Sequence, residues 1–333
     1  MRITELGEFG LIDLLAKMVS ESEAKQPRNP RLIIGIGDDA AAWRQSDGIQ
    51  LATVDTLVQN VHFSLDTILS WRQLGAKALS VNISDIAAMA GVPEYALIAL
   101  NLPGDTDVND VTDLYRGILD IAKNYGISVV GGNMSNSAMI NITITIIGSG
   151  REDVVLQRSA ARPGDVVAVT GYPGYAAAGL EIITHGTKLP EEIARIMRSH
   201  FYFPVAHMIE AQALVKNGIK ACIDVSDGLL ADLSHICRAS GVSAKVNIDS
   251  LPVDWRLIRH AGEEHARELT LTGGEAYELL FTGSRENVEA AARDIVIPVT
   301  IIGEIIPPVT DTIILHDKEG RVINIKQYGW QHF

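Results

Sequence analysis

Aspartates end or interrupt the most apolar segments of this chain, and that placement constrains both its fold and its chemistry. Six residues share it: Asp38, Asp39, Asp55, Asp85, Asp224 and Asp227. A carboxylate at the end of a buried strand, or among alanines in a helix, costs free energy unless positive charge meets it. Few lysines or arginines lie nearby in sequence. Magnesium prefers carboxylate oxygens and is completed by water and substrate phosphates, so the pattern predicts a magnesium site.

Each aspartate also has an ordinary structural explanation. Asp38 and Asp39 could cap a helix beginning at Ala40, and Asp227 could cap the helix after Gly228. Asp85 has no capping position, because it lies within the predicted helix 70–90. A solvated helix face is the alternative that remains open for it.

Glycines supply a second signal, because they let the backbone approach a ligand closely. Four glycine-containing segments follow or precede predicted strands: Gly35-Ile-Gly37, Val130-Gly-Gly-Asn133, Gly171-Tyr-Pro-Gly174 and Thr272-Gly-Gly-Glu275. The third precedes a small-residue helix and predicts a helix start that cradles an anion. No phosphate-binding loop with a Gly-Lys-Ser/Thr ending, protein-kinase motif, zinc spacing or hydrolase Gly-x-Ser-x-Gly segment occurs. His62 and Arg158 are weaker candidates for polar contacts.

Composition limits the classes of partner. The net charge of −13 argues against a nucleic-acid surface, since neutralising phosphates takes a lysine and arginine surplus. Two cysteines are too few for a disulfide framework and favour a reduced, cytoplasmic setting. The amino terminus lacks the pattern of a signal peptide, and no apolar run approaches the ~20 residues that span a bilayer. We therefore expect no membrane association.

The order of predicted elements indicates two α+β domains, because strands and helices do not alternate regularly enough for a doubly wound sheet. The boundary is predicted near residue 150, giving domains 1–150 and 151–333. In the first domain, helices are predicted at 9–18, 70–90 and 108–125, a loop at 20–30, and strands at 31–36, 49–54, 95–102, 127–130 and 138–148. In the second, helices are predicted at 175–185, 205–216 and 227–239, and strands at 166–170, 220–223, 245–248, 278–282 and 300–302.

Several motifs in order resemble those of the thiamine-monophosphate kinase family, over nearly the whole chain. The matching segments are Gly7-Glu-Phe-Gly-Leu-Ile12, Gly35-Ile-Gly-Asp-Asp-Ala40, Val54-Asp-Thr-Leu-Val58 with His62-Phe63, 76–89, Gly131-Gly132, Arg158-Ser159, Arg162-Pro-Gly-Asp165, Ile223-Asp-Val-Ser-Asp-Gly-Leu229, Gly273-Gly-Glu275 and the closing Tyr328-Gly-Trp-Gln-His-Phe333.

The resemblance implies the fold of aminoimidazole ribonucleotide synthetase, with amino-terminal domains that bind ATP and magnesium and pair as a dimer barrel. It also implies direct transfer of the ATP γ-phosphoryl group to thiamine monophosphate, which gives thiamine diphosphate in a homodimer. Magnesium ligands would be Asp38, Thr53, Asp55, Asp85, Asn133, Asp224 and Asp227. ATP contacts would be Gly131, Gly132, Arg158 and Ser226, and substrate contacts His62, Glu275 and Trp330.

Two positions depart from the family pattern. The usual Gly-Gly-Asp reads Gly131-Gly132-Asn133, which replaces a carboxylate by an amide, and the usual Gly-Gly-Glu-Asp-Tyr-Glu carries Ala276 in place of the aspartate. They leave open a divergent paralogue with another phosphorylated acceptor, or a regulatory nucleotide-binding role. Selenophosphate synthetase and the hydrogenase-maturation dehydratase are disfavoured because their terminal cysteines are missing. Aminoimidazole ribonucleotide synthetase fits the opening Gly-Glu-Phe and the Ser-Asp-Gly-Leu segment less well.

Overall fold

The computed structural model describes residues 10, 12–14, 17–18, 31–187, 189–325 and 329–330. The described residues of the predicted first helix are helical. The rest of that helix, the predicted loop 20–30 and four of the six closing residues 328–333 lie outside the described residues.

The first half of the chain forms a six-stranded sheet covered on one face by two helices. The strands are β1 (Leu32–Ile34), β2 (Ala41–Arg44), β3 (Ile49–Val58), β4 (Val92–Leu102), β5 (Ser128–Asn136) and β6 (Asn141–Gly150), and the helices are α1 (Trp71–Ala88) and α2 (Val108–Tyr125). The strand order is β1-β2-β3-β6-β4-β5, with only the β4–β5 pair parallel. Alternation along β6 buries Ile142, Ile144 and Ile146 beneath the helices, as its period of two predicts.

The second half forms a seven-stranded sheet with helices packed around it. Its strands are β7 (Val166–Thr170), β8 (Ala221–Asp224), β9 (Ser243–Asn247), β10 (Leu279–Gly283), β11 (Val299–Ile306), β12 (Ile313–His316) and β13 (Val322–Ile323). Its helices are α3 (Gly174–His185), α4 (Glu191–Tyr202), α5 (Met208–Lys216), α6 (Leu229–Ser240), α7 (Trp255–Ala261), α8 (Glu263–Thr272) and α9 (Arg285–Asp294). The order is β13-β12-β9-β11-β7-β10-β8. The chain thus has two mixed α/β domains, with one sheet on each side of residue 150.

Helix α1 is buried on nearly all sides because it lies between the two halves of the molecule. It contacts β3 and β6 of its own sheet, helix α2, and strand β8 of the second domain. Gly75 and Gly117 let α1 and α2 approach closely. A Cβ added at Gly75 would lie 2.0 Å from the carbonyl oxygen of Leu114 on α2. A Cβ added at Gly117 would lie 1.8 Å from the carbonyl oxygen of Arg72 on α1.

Three expectations about local structure are wrong. Strand β3 does not stop at Asp55 but continues to Val58, paired with β6 along its whole length. The predicted strand 127–130 does not end before Gly131 and Gly132, which lie inside β5, and Gly132 is required there because a Cβ would meet the Ile98 carbonyl oxygen at 1.7 Å. No helix begins at Ala40, since the next element is strand β2. The sequence prediction also missed helices α4, α7, α8 and α9.

In the described part of the chain, no helix combines the length and the apolar character needed to cross a bilayer.

Candidate active site

Three aspartates from distant parts of the sequence meet where the two domains join. Asp39 lies in the turn between β1 and β2, Asp85 in the last turn of α1, and Asp224 at the end of β8. One carboxylate oxygen of each lies within 4.8 Å of the other two. Both domains must therefore be folded and in contact before this cluster exists.

Two more of the predicted aspartates border this cluster. Asp55 lies on β3, within hydrogen-bonding reach of the Asp85 carboxyl group, and its backbone N–H donates to Asn82 Oδ1 at 3.0 Å. Asp38 accepts from the backbone N–H groups of Asp39, at 3.0 Å, and Arg158, at 3.2 Å. Five carboxylates are therefore concentrated at one point of the domain junction.

Burial and the charges of neighbouring acids raise the pKa of four carboxyl groups at this point, those of Asp38, Asp55, Asp85 and Asp224. Burial, followed by the charge of Asp39, raises the pKa of Asp38 to about 7 and that of Asp224 to about 8. Burial also raises the pKa of Asp55, and burial with the charges of Asp55 and Asp224 raises that of Asp85 well above its usual value. Ionising all five together would require added positive charge, and the described residues supply little of it.

Neighbouring side chains fix the orientation of the cluster without neutralising it. Thr53 Oγ1 donates to Asp85 Oδ2 at 2.5 Å, and Ser84 Oγ donates to Asp224 Oδ2 at 2.6 Å. Among the described residues, the close cation is Arg158, whose guanidinium group donates to both oxygens of Asp39 at 3.2 and 2.7 Å. Arg158, a candidate phosphate contact, therefore also forms an ion pair with the acid cluster.

Asp227 belongs to a second group, with Asp232 and His235 of helix α6. One ligand atom from each lies within 4.8 Å of the others. Asp232 Oδ2 accepts from the backbone N–H groups of Asp227 and Gly228, both at 3.1 Å, and so holds the start of the helix. Asp227 does not cap this helix, because Gly228 occupies the cap position. Burial, then the charges of Arg158 and Arg238, lower the pKa of His235 to about 4 and leave it neutral at pH 7.

A cavity of about 600 Å³ opens from the acid cluster, and we refer to it as the first cavity. Eight of the predicted site residues line it: Asp55, His62, Asp85, Asp224, Ser226, Asp227, Glu275 and Trp330. His62 Nδ1 accepts from the Val58 N–H at 3.0 Å, and the Trp330 N–H donates to the Asp227 carbonyl oxygen at 2.9 Å. Aspartates line one part of its wall, and His62, Glu275 and the half-exposed indole of Trp330 line another.

Gly131, Gly132 and Asn133 are not brought to this cavity within one chain. Asn133 is in register with Ala99, Thr143 and Thr56 across the sheet, whereas Asp55 is in register with Ile144 and Ile98. Successive side chains of a strand point to opposite faces, so Asn133 and Asp55 lie on opposite faces. They are also three strands apart, about 14 Å.

The structure adds three residues that the sequence did not single out, Asn82, Ser84 and Lys77, and it distinguishes Asp38 from Asp39. Asp39 rather than Asp38 lies in the tight cluster, and the adjacent pair gave no signal to choose between them. Asn82 and Ser84 flank Asp85 on α1 and bind Asp55 and Asp224. Lys77 is buried, and its Nζ lies 2.8 Å from Glu275 Oε2 and 3.7 Å from the centre of the Phe201 ring. A lysine among the apolar residues of α1 is a sequence signal that could have indicated this buried ion pair.

A second cavity of about 620 Å³ lies across the segment 275–278 from the first. Glu275 and Tyr277 line the first cavity, whereas Ala276 and Glu278 line the second. Glu275 and Tyr277 adopt φ values of 63° and 54°, which L side chains adopt rarely. The predicted anion cradle at 171–174 is also wrong, because the Glu278 carboxylate lies directly against Gly171 and repels an anion there.

Comparison with known proteins agrees with this architecture. Residues 37–151 match the AIR synthase related protein N-terminal domain, and residues 162–316 match the corresponding C-terminal domain. The thiamine-monophosphate kinase of Aquifex aeolicus is 36% identical over 100% of both chains, and that of Salmonella typhimurium is 34% identical over 98% of both. The structure of AaThiL complexed with AMPPCP and TMP superposes with a TM-score of 0.86 at 33% identity, over 100% of this chain and 99% of that one. The chain belongs to the thiamine-monophosphate kinase family of AIR synthase related proteins.

Proposed function

We propose that this kinase transfers the γ-phosphoryl group of ATP to the phosphate of thiamine monophosphate in a magnesium-dependent reaction. The observation that carries the proposal is the meeting of Asp39, Asp85 and Asp224 beside a cavity of about 600 Å³, whose wall includes Asp85 and Asp224. Relatives named for this activity, and a similar structure complexed with AMPPCP and TMP, support it.

The donor set suits magnesium. Among the described residues, the groups at the cluster are carboxylates and the hydroxyls of Thr53 and Ser84. Such hard oxygen ligands are what this ion prefers. Asp38, Asp39, Asp55, Asp85 and Asp224 would hold several ions, with Thr53 beside them and Asp227 nearby. Bound magnesium supplies the positive charge that lets two phosphate groups approach each other.

The remaining cavity residues would bind and orient the two substrates. Ser226 and Arg158 lie beside the cluster and would contact ATP. His62, Glu275 and Trp330 would receive the acceptor, whose rings can stack on the half-exposed indole. An oxygen of the acceptor phosphate attacks the γ-phosphorus while the bond to the β-bridging oxygen breaks, so ADP leaves and no protein nucleophile is needed.

We further propose that the protein is a homodimer through the uncovered face of the first sheet. Exposed apolar side chains on this face include Val54 and Leu97, which are both in register with Thr145 of β6. Asn133 lies on the uncovered face, so it, with Gly131 and Gly132, would reach phosphates or magnesium only in such an assembly. Light scattering that gives the mass of one chain at working concentration would contradict the dimer. A cytoplasmic location stays a prediction.

Ala276 bears on the alternative of a divergent or regulatory paralogue. It faces the second cavity, so the acid missing there is not missing from the wall of the first. Asn133 is the remaining departure, and an amide oxygen can still coordinate magnesium without charge. Retention of the buried aspartates favours an enzyme over a regulatory nucleotide-binding protein.

The direct test is product formation from thiamine monophosphate, ATP and magnesium, with a control lacking the acceptor. We expect thiamine diphosphate at an enzyme-like rate and little hydrolysis of ATP in the control. Tight magnesium-dependent ATP binding without product would instead favour another phosphorylated acceptor or the regulatory alternative.

Replacing Lys77 by methionine is expected to raise KM for the acceptor more than it lowers kcat. The buried ammonium group bridges the two domains to Glu275, and its loss leaves that carboxylate without its cation. Breaking a largely buried pair on one side should also lower the unfolding free energy by about 2 kcal/mol. Lys216→Met is the control, since Lys216 forms an exposed ion pair with Asp294 and should change neither quantity. An unchanged KM would remove Lys77 from the support of the acceptor site.

A further inference from the structure

The second cavity is a built pocket rather than a surface groove. Tyr172 and Tyr175 stack with ring centres 4.9 Å apart, and His200 meets Tyr175 edge-on at 4.9 Å. At the rim, Phe203 and Ile209 are 46% and 80% exposed. Large apolar side chains left in water around a concave aromatic wall indicate a surface that a flat apolar group can cover.

The charged residues of this cavity disfavour the binding of an anion. His207 lies between two carboxylates, with Nε2 3.0 Å from Glu278 Oε2 and Nδ1 3.5 Å from Glu210 Oε2. Although burial disfavours its charge, hydrogen bonds to Glu210 and Glu278 raise the pKa of His207 to about 9. This imidazolium ion is therefore already matched by acids on both sides.

The other cation of this cavity is matched in the same way. The Arg256 side chain donates three hydrogen bonds to Asp254 and one to the Tyr175 hydroxyl at 3.0 Å. Among the described residues of the cavity and their direct partners, the carboxylates of Glu210, Glu278 and Asp254 outnumber the two cations by one. The pocket offers aromatic faces and excess negative charge, and its two cations are already bound to acids.

We propose that the second cavity binds a planar heteroaromatic cation that carries no phosphate group. Aromatic rings attract a cation through their negative faces, and the surplus carboxylate adds to that attraction. A phosphorylated form of the same compound would be repelled by Glu210 and Glu278. The two cavities are thereby selective in opposite senses, since the first gathers phosphates and the second rejects them.

The test measures equilibrium binding of thiamine, which contains a cationic heteroaromatic ring and no phosphate, to the full chain by calorimetry. We expect Phe203→Ala and Glu210→Gln each to weaken this binding by about tenfold, because one removes an aromatic wall and the other the surplus charge. Trp330→Ala, in the first cavity, can remove only binding that occurs there, so it should leave unchanged the component of binding that Phe203→Ala and Glu210→Gln weaken. Leu119→Ala is the matched control, since Leu119 is half-exposed on α2 and lies outside both cavities.

Two outcomes would overturn the proposal. One is binding lost in Trp330→Ala and retained in Phe203→Ala and Glu210→Gln, which would place thiamine in the first cavity. The other is that the unsubstituted protein, shown to be folded by a cooperative thermal transition, does not bind thiamine saturably up to millimolar concentration. The experiment measures binding and not turnover. The result for the second cavity can therefore be interpreted even if the protein does not catalyse the proposed kinase reaction.

Discussion

Replacing Asp85 by asparagine is expected to abolish magnesium-dependent nucleotide binding while making the metal-free protein more stable at pH 8. Asp85 lies among Asp39, Asp55 and Asp224, so a neutral amide removes one ligand and also one of the mutually repelling charges. The amide oxygen can still accept the hydrogen bond of Thr53. We expect the unfolding free energy at pH 8 to rise by about 1 kcal/mol, the scale of one pKa unit.

Nucleotide binding with and without magnesium, and urea unfolding in the presence of a chelator, would check the two halves of this prediction. Asp113→Asn is the control, because Asp113 is exposed on α2 and forms an ion pair with Arg116 in the next turn, away from the acid cluster. Loss of binding together with loss of stability would mean that Asp85 supports the fold rather than the metal. Unchanged binding would remove Asp85 from the site.

Raising the pH from 6.5 to 8 is expected to destabilise the metal-free protein, and magnesium with nucleotide should remove much of this dependence. The pKa values of Asp38 and Asp224 are raised to about 7 and about 8, mainly by burial. The folded state therefore keeps protons that the unfolded chain has released above about pH 4. Stability is fully present below that pH and is lost as pH rises through the folded-state values, by about 2 kcal/mol between pH 6.5 and 8.

His207 acts in the same direction, since its raised pKa of about 9 also makes the folded state bind an extra proton in this range. Magnesium separates the two contributions, because the ion acts on the aspartates and leaves His207 unchanged. Binding should also release protons at pH 7, seen as a dependence of the calorimetric heat on buffer. A metal-free protein whose unfolding free energy rose between pH 6.5 and 8 would contradict these shifts.

Local pattern predicted much of the first domain. The period of two in β6 and the amphipathic spacing of α2 gave elements close to those observed, because each element buries one face against one partner. Polar residues at the site misled the same reasoning. Asp55 was read as the end of a strand, yet β3 continues, because Asn82 of α1 binds its backbone and β6 pairs with it throughout.

Tertiary placement was beyond reach of local pattern. The choice between Asp38 and Asp39 depends on Arg158, 119 positions away, which draws the Asp39 carboxylate into the cluster. The predicted strand 127–130 ended before Gly131 and Gly132, but the close approach of the β4 backbone requires a glycine at position 132 within the strand. The second cavity was not foreseen, since helices α4 and α7 that supply its walls were missed.

The separation of the acidic residues along the chain sets the timing of the site during synthesis. Ser84, next to Asp85, and Asp224 are 140 positions apart, which a ribosome covers in roughly 10 s at 5–20 residues per second. In that interval Asp55 and Asp85 can fold with their own sheet while water still reaches them, and no carboxylate from the second domain opposes them. The charge of Asp224 joins those of Asp55 and Asp85 only when the second domain folds, so the nascent first domain is spared this part of the repulsion and the complete cluster forms as a late step of assembly.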